Sequence, residues 1–122
     1  MLAAHIELIL LITGLATAGA LALFLAPVTM MNMLFGQAPA DALSLLIVRH
    51  WGLLVGLVGA LLVYAAYHPE IRVPTLIVAI VEKAAFALGM LISPFRRRPS
   101  VLVMALADAG MAAVYLIYLI DL

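Results

Sequence analysis

Apolar residues fill the chain in four long blocks, each interrupted by a short cluster of proline and polar or charged residues, and this spacing predicts four membrane-crossing helices. The blocks cover approximately residues 2–26, 41–67, 74–93 and 100–122. Each is close to the roughly 20 residues needed to cross a hydrocarbon core of about 30 Å. The first block stops at Pro27 and is expected to be a retained helix rather than a cleaved signal peptide, because no Lys or Arg precedes it and Glu7 is acidic. Between Pro27 and Pro39 the segment 28–38 is too short to cross, and it carries Val28, Met31, Leu34 and Phe35 at helical spacing. It is expected to lie along the interface as an amphipathic connector, with Met30, Met31 and Met33 offering an adaptable apolar surface.

Composition turns four apolar blocks into an integral membrane protein. Hydrophobic residues make up 69% of the 122 and charged residues 10%, against about 45–50% and about 25% in soluble domains. Mean hydropathy is +1.33. The fold class is therefore all-α, an integral membrane four-helix bundle occupying residues 1–122 as a single transmembrane domain, with no room for a soluble catalytic head. Zero cysteines exclude disulfides, thiolate zinc sites and iron–sulfur ligation. A net charge of +0 gives no electrostatic case for nucleic acid. Three arginines, Arg96, Arg97 and Arg98, lie between the third and fourth blocks, with Arg72 alone on the other side. The positive-inside rule then puts the Arg96–Arg98 loop in the cytoplasm of a bacterial inner membrane and both termini outside, with Tyr64, Tyr67, Tyr115 and Tyr118 as an outer aromatic belt.

Against this background the charges inside the blocks stand out. A charge at membrane depth faces the bundle interior or water and needs partners. At a helical rise of about 1.5 Å per residue, Arg49 and Asp108 both lie about 12 Å from the same face, and Glu82 lies within about 6 Å of their level. Arg49 shares a stripe with Gly52, Gly56 and Gly59/Ala60, a Gly-x-x-x-Gly element that lets helices approach closely. Glu82 aligns with Ala85, Phe86, Gly89 and Ser93, and Asp108 with Met104, Ala105, Met111, Ala112 and Tyr115. The expectation is one buried polar centre of Arg49, Asp108 and Glu82, to which Lys83 belongs with its side chain about 100° away from Glu82 and directed towards a neighbouring helix. As an ion-pair lock it implies a dry, rigid bundle; as a site for a proton or ligand it implies a carboxylate without a close cation.

His50 and Trp51 are the candidate contacts for a ligand or partner. A bis-His haem would need a second His at the depth of His50, and His5 and His68 both lie near the other face. No cofactor is predicted; a quinone, a lipid or a pigment at His50 or Trp51 is the alternative. No metal site and no catalytic residue is predicted: the chain has no P-loop, dinucleotide fingerprint or His-Glu-x-x-His, and Ser44, Ser93 and Ser100 are explained by capping.

The order Ala26-Pro27, Leu34-Phe35-Gly36, then Arg49-His50-Trp51-Gly52 and Gly56, followed by two further spans, resembles the small four-helix membrane proteins of the DoxX-like group and their uncharacterised relatives. That resemblance implies a four-helix bundle and an accessory role in a larger membrane complex, and it transfers no catalytic residue. The expected function is a non-catalytic accessory or assembly subunit in contact with lipid and with other membrane subunits or its own copies. Two alternatives stand beside it: a quinone- or lipid-linked redox subunit, and a small proton-coupled carrier using Glu82 and Asp108. A carrier requires a water-filled passage reaching Glu82.

Overall fold

In the computed structural model the described residues are 2–122, with side chains considered from residue 4 onward. Among them every regular element is helical: α1 Leu2–Ala18, α2 Leu21–Leu25, α3 Pro27–Phe35, α4 Ala42–Tyr67, α5 Arg72–Leu91 and α6 Pro99–Ile120, with 3-10 turns at Pro69–Ile71 and Pro94–Arg97. Four stretches are long and apolar enough to cross a membrane: Ala4–Leu25, Ala42–Tyr67, Pro69–Leu91 and Pro99–Ile120. The all-α four-helix membrane bundle follows, as the sequence pattern predicts.

Local chemistry sets the element ends. Asp41, in extended conformation, caps α4 by accepting the Ser44 amide at 2.8 Å. Gly36 closes α3 at φ 76, a left-handed value that a side chain would oppose. The first span is not one helix but two, α1 and α2, joined by a tightened turn. The Gly19 amide is shared at 3.2 Å between the Leu15 and Ala16 carbonyls, and the Leu23 amide donates to the Ala20 carbonyl at 2.9 Å. Upstream, the Thr17 and Thr13 hydroxyls donate to the carbonyls of Thr13 and Ile9 at 2.7 Å, a back-bonding pattern that bends helices.

Arginines satisfy the carbonyls left open where helices stop. Arg72 donates to the Ala65 and Ala66 carbonyls at 2.8 and 2.7 Å, and so caps α4. Arg98 donates to the Leu34 and Met33 carbonyls at 2.9 and 3.3 Å, and the Ser100 hydroxyl joins it on Leu34 at 2.5 Å. These bonds tie α3 to the start of α6, and Phe35 meets Phe95 edge to face with ring centroids 5.7 Å apart. Pro27, Met30, Met31, Leu34 and Phe35 turn inward, whereas Val28 is exposed, so α3 roofs the bundle at the arginine-rich end.

Helix α4 packs along α1 and α2 on one side and α5 on the other; α6 packs on α5 and touches α1. The first of these contacts is made by glycines. A Cβ at Gly52 would lie 2.6 Å from the Leu23 Cβ and 2.8 Å from the Ala20 carbonyl, one at Gly56 would lie 2.5 Å from the Leu21 side chain, and one at Gly59 would strike the Ala18 backbone. Gly59 is buried and Ala60 exposed, which corrects the expected packing position at Ala60. Helical rotation over seven residues from Gly52 favours Gly59.

The hydrophobic core lies toward the end that holds the termini, where Ile6, Leu10, Leu62, Ala65, Ala66, Leu76, Ala79, Tyr115 and Tyr118 interlock. Tyr115 and Tyr118 are thereby inside the bundle rather than in an aromatic belt, while Tyr64 and Tyr67 remain exposed. The half toward the arginine-rich end is more open: Leu23, Val48, Val101 and Ala105 are buried there, beside two pockets of about 520 and about 320 Å³ that open to the surface.

The glycine seam makes a signed prediction. Gly59→Ala should destabilise the bundle by about 1–3 kcal/mol through overpacking. Gly110→Ala, where a Cβ would meet nothing within 4 Å, should be neutral or stabilising by up to about 1 kcal/mol from helix propensity alone. Unfolding in mixed detergent micelles, followed by circular dichroism, measures both, and equal effects would remove the close-approach account of α4 against α1.

Candidate functional site

Between the packed half and the more open half sits Lys83, 1% exposed. It belongs to the buried stripe of α5, Leu76, Ala79, Lys83 and Ala87, spaced by three and four residues. Its Nζ donates to Thr17 Oγ1 at 2.7 Å and to Asp108 Oδ1 at 3.4 Å, and stands 4.0 Å from Glu82 Oε1. The last distance is a charge contact without a hydrogen bond. Among the described residues Glu82 Oε1 is a buried oxygen with no hydrogen-bond partner. The Glu82 and Asp108 side chains are 18% and 20% exposed.

A second polar link lies beside the first. The Tyr115 hydroxyl donates to Thr13 Oγ1 at 2.5 Å, and the hydroxyls of Thr13 and Thr17 pass their own protons to carbonyls of α1. Lys83 on α5, Asp108 and Tyr115 on α6, and the two threonines on α1 thus form a polar seam joining three helices. Burial pushes this seam toward full hydrogen bonding, since an unpaired polar group in a low-dielectric interior is costly.

The cavity of about 320 Å³ opens onto this seam. Thr17, Glu82, Lys83 and Asp108 line one part of it, and Leu23, Val55, Met30, Met104 and Met111 are among its apolar walls. Trp51 and Phe86 stack with ring centroids 5.9 Å apart and an interplanar angle of 19°. The stacked pair borders both cavities, so it forms the partition between the polar chamber and the larger apolar cavity under Phe35, Gln37, Pro39, Met90 and Phe95.

The structure therefore brings together Glu82, Lys83 and Asp108 from the expected polar centre and leaves Arg49 out of it. Arg49 is exposed, and one guanidinium nitrogen donates to the Phe24 carbonyl at 2.9 Å. That carbonyl lies at the end of α2, next to the break at Ala26-Pro27, where proline has no amide to offer. The expected Arg49–Asp108 pair fails for a reason of adjacency: rise per residue predicts one depth for both, but α4 packs on α1, α2 and α5, whereas α6 packs on α5. Lys83, expected to turn from Glu82 towards a neighbouring helix, reaches two of them, through Thr17 on α1 and Asp108 on α6, and stands at the middle of the cluster. Gly89, on the face assigned to Glu82, has no neighbour within 4 Å of an added Cβ, so that face is not the packed one. His50 is exposed on α4, and Trp51 is half-buried at the chamber wall.

Thr13 and Thr17 belong to the site and were not singled out from sequence, whereas Tyr115 was aligned with Asp108 and assigned to the outer belt. Their signal is present: Ile6, Leu10, Gly14 and Thr17 repeat at three and four residues on the buried face of α1, so Thr17 is a polar residue on a core stripe. No family model, no curated protein and no solved structure matches the chain.

The charge pattern separates two lysine and arginine roles by stability. Lys83→Met should cost about 3–5 kcal/mol, the value for leaving buried partners without their counter-charge. Arg49→Leu should cost only about 1–3 kcal/mol, one charged hydrogen bond to a carbonyl. Asp108→Asn placed on the Lys83→Met background should recover part of the loss, whereas the same change with Arg49→Leu should simply add. Detergent unfolding of the five variants, Asp108→Asn alone included, decides it, and a larger loss at Arg49 than at Lys83 would reverse the assignment.

Proposed function

We propose that this chain is a small proton-coupled carrier of the membrane, in which Glu82 and Asp108 exchange the proton. One observation carries the reading: the cavity of about 320 Å³ reaches Glu82, whose Oε1 is buried and unpartnered. A lock that only fixed helix register would be expected to close over its charges and satisfy them. Here the ion cluster borders open space on the side away from the core cluster near the termini.

The division of labour follows from the contacts. Lys83, enclosed and bonded to Thr17 and Asp108, is the fixed counter-charge. Glu82, with an oxygen free, is the group able to take and give a proton as the chamber fills and empties. Trp51 and Phe86, between two cavities, are the gate whose stacked rings part to admit a ligand. Compared with the expected accessory or assembly subunit, this reading accounts for the more open half of the bundle. The proposal sets the carrier in a bacterial inner membrane with the Arg96–Arg98 loop in the cytoplasm and both termini outside, an orientation the positive-inside rule supports.

Proteoliposomes loaded with a pH-sensitive dye provide the test. Against an imposed pH gradient, a panel of cationic, anionic and neutral amphiphiles is added in turn, and the protein should dissipate the gradient with one class of compound. Glu82→Gln should abolish this coupled proton flux while the protein stays folded by circular dichroism. No coupled flux with any class would overturn the carrier reading.

A further inference from the structure

We infer that the chamber takes a monovalent lipophilic cation, an ammonium carried on a compact apolar or aromatic body, and that binding displaces one proton from the Glu82–Asp108 pair. The exchange step rests on the carrier reading; the charge of the ligand rests on the composition of the chamber wall.

The ionisable groups facing the chamber can be counted helix by helix. From α5 come Glu82 and Lys83, and from α6 comes Asp108. From α1 the facing polar group is the Thr17 hydroxyl, which does not titrate in this range, and from α4 the facing residues are Trp51 and Val55. Tyr115, further along α6, is engaged with Thr13, and Arg49 is turned onto the Phe24 carbonyl. Two carboxylates therefore face one ammonium, an excess of one negative charge when all three are ionised. An uncompensated charge at membrane depth is strongly disfavoured, so the empty chamber holds a proton on one carboxyl and the filled chamber holds a cation in its place. The proton leaves to water, and the cluster is neutral in both states.

The remaining surfaces select the same chemistry. An anionic head would meet both carboxylates, and the Lys83 ammonium, its one attractive partner there, is already bonded to Thr17 and Asp108. A neutral ligand would fill the walls without replacing the proton. The indole of Trp51 and the ring of Phe86 line the chamber, and aromatic rings are preferred neighbours of organic ammonium groups. Met30, Met104 and Met111 line the rest with flexible thioethers that adjust to the shape of an apolar body. At about 320 Å³ the chamber is at the small end of ligand pockets, roughly 300–1,000 Å³, which sets the scale of the cation.

Trp51 is the sole tryptophan of the chain, so its fluorescence reports occupancy of the chamber directly. The full chain in nonionic detergent is titrated with benzyltrimethylammonium and, separately, with neopentylbenzene, which has the same shape without the charge. The expected result is a saturable fluorescence change with the cation at an affinity at least tenfold above that of the neutral isostere. Affinity should tighten toward tenfold per pH unit as pH rises, and an indicator dye in weak buffer should record about one proton released per cation bound. Glu82→Gln should lose the pH dependence and at least tenfold in cation affinity, while Glu82→Asp should retain the pH dependence. Equal affinity for the two compounds, or cation binding without proton release, would overturn the inference. Binding with proton release but no flux of the cation in proteoliposomes would overturn the carrier reading and leave the ligand assignment standing. Proton-coupled flux of a neutral or anionic compound, with no cation binding, would do the reverse.

Discussion

The bundle depends on how one buried ammonium is satisfied. Lys83 cannot shed its desolvation cost by reaching solvent, because its Nζ lies inside a ring formed by α1, α5 and α6. Its bonds to Thr17 and Asp108 therefore act on the helices rather than only on the side chains. They fix the height of α5 relative to α1 and α6, and the Tyr115–Thr13 bond sets the same register one to two turns away. In a bilayer, where apolar surface gives little reason for one helix to prefer another, such polar contacts and close small-residue packing are what choose the arrangement.

Arginine and lysine divide the work according to their shapes. Arg49, Arg72 and Arg98 each send a guanidinium to main-chain carbonyls at the end of a helix, and Arg96 reaches the Leu91 carbonyl at 3.4 Å. A planar fork with several donors suits a helix terminus with several open acceptors. The compact ammonium of Lys83 suits a point in the interior between a hydroxyl and a carboxylate. This division explains why the cation that is conspicuous in the apolar run, Arg49, is at the rim of a helix break, and why the centre belongs to a lysine adjacent to a glutamate.

Packing is uneven by design of the same contacts. Gly52, Gly56 and Gly59 bring α4 onto α1 and α2 so closely that a methyl group would collide. Larger residues, Leu62, Leu76 and Tyr115, fill the end near the termini. Toward the other end the wall residues are methionines and aromatics held apart by α3, whose ends are anchored by Pro27, Gly36 and the bonds from Arg98 and Ser100. The open space is thus adjacent to the ion cluster and separated from the solid core by it, which places charge and cavity side by side.

Features that depend on one dimension can be read from the order of residues. The four spans are legible because a helix must satisfy its backbone within itself in lipid and so announces its length as an apolar run. Depth follows from a constant rise per residue, and the two carboxylates it predicts near one level, Asp108 and Glu82, both approach Lys83. Adjacency and rotation are legible only in the packed bundle. Arg49 and Asp108 are predicted at the same height, yet which helix stands beside which is set by packing between distant segments, and no spacing within one helix encodes it. Glu82 and Lys83 differ by about 100° around α5, and a stripe of small residues was available on both faces. Choosing between them required the partner: Thr17, a threonine on another helix, whose hydroxyl waits where the lysine arrives.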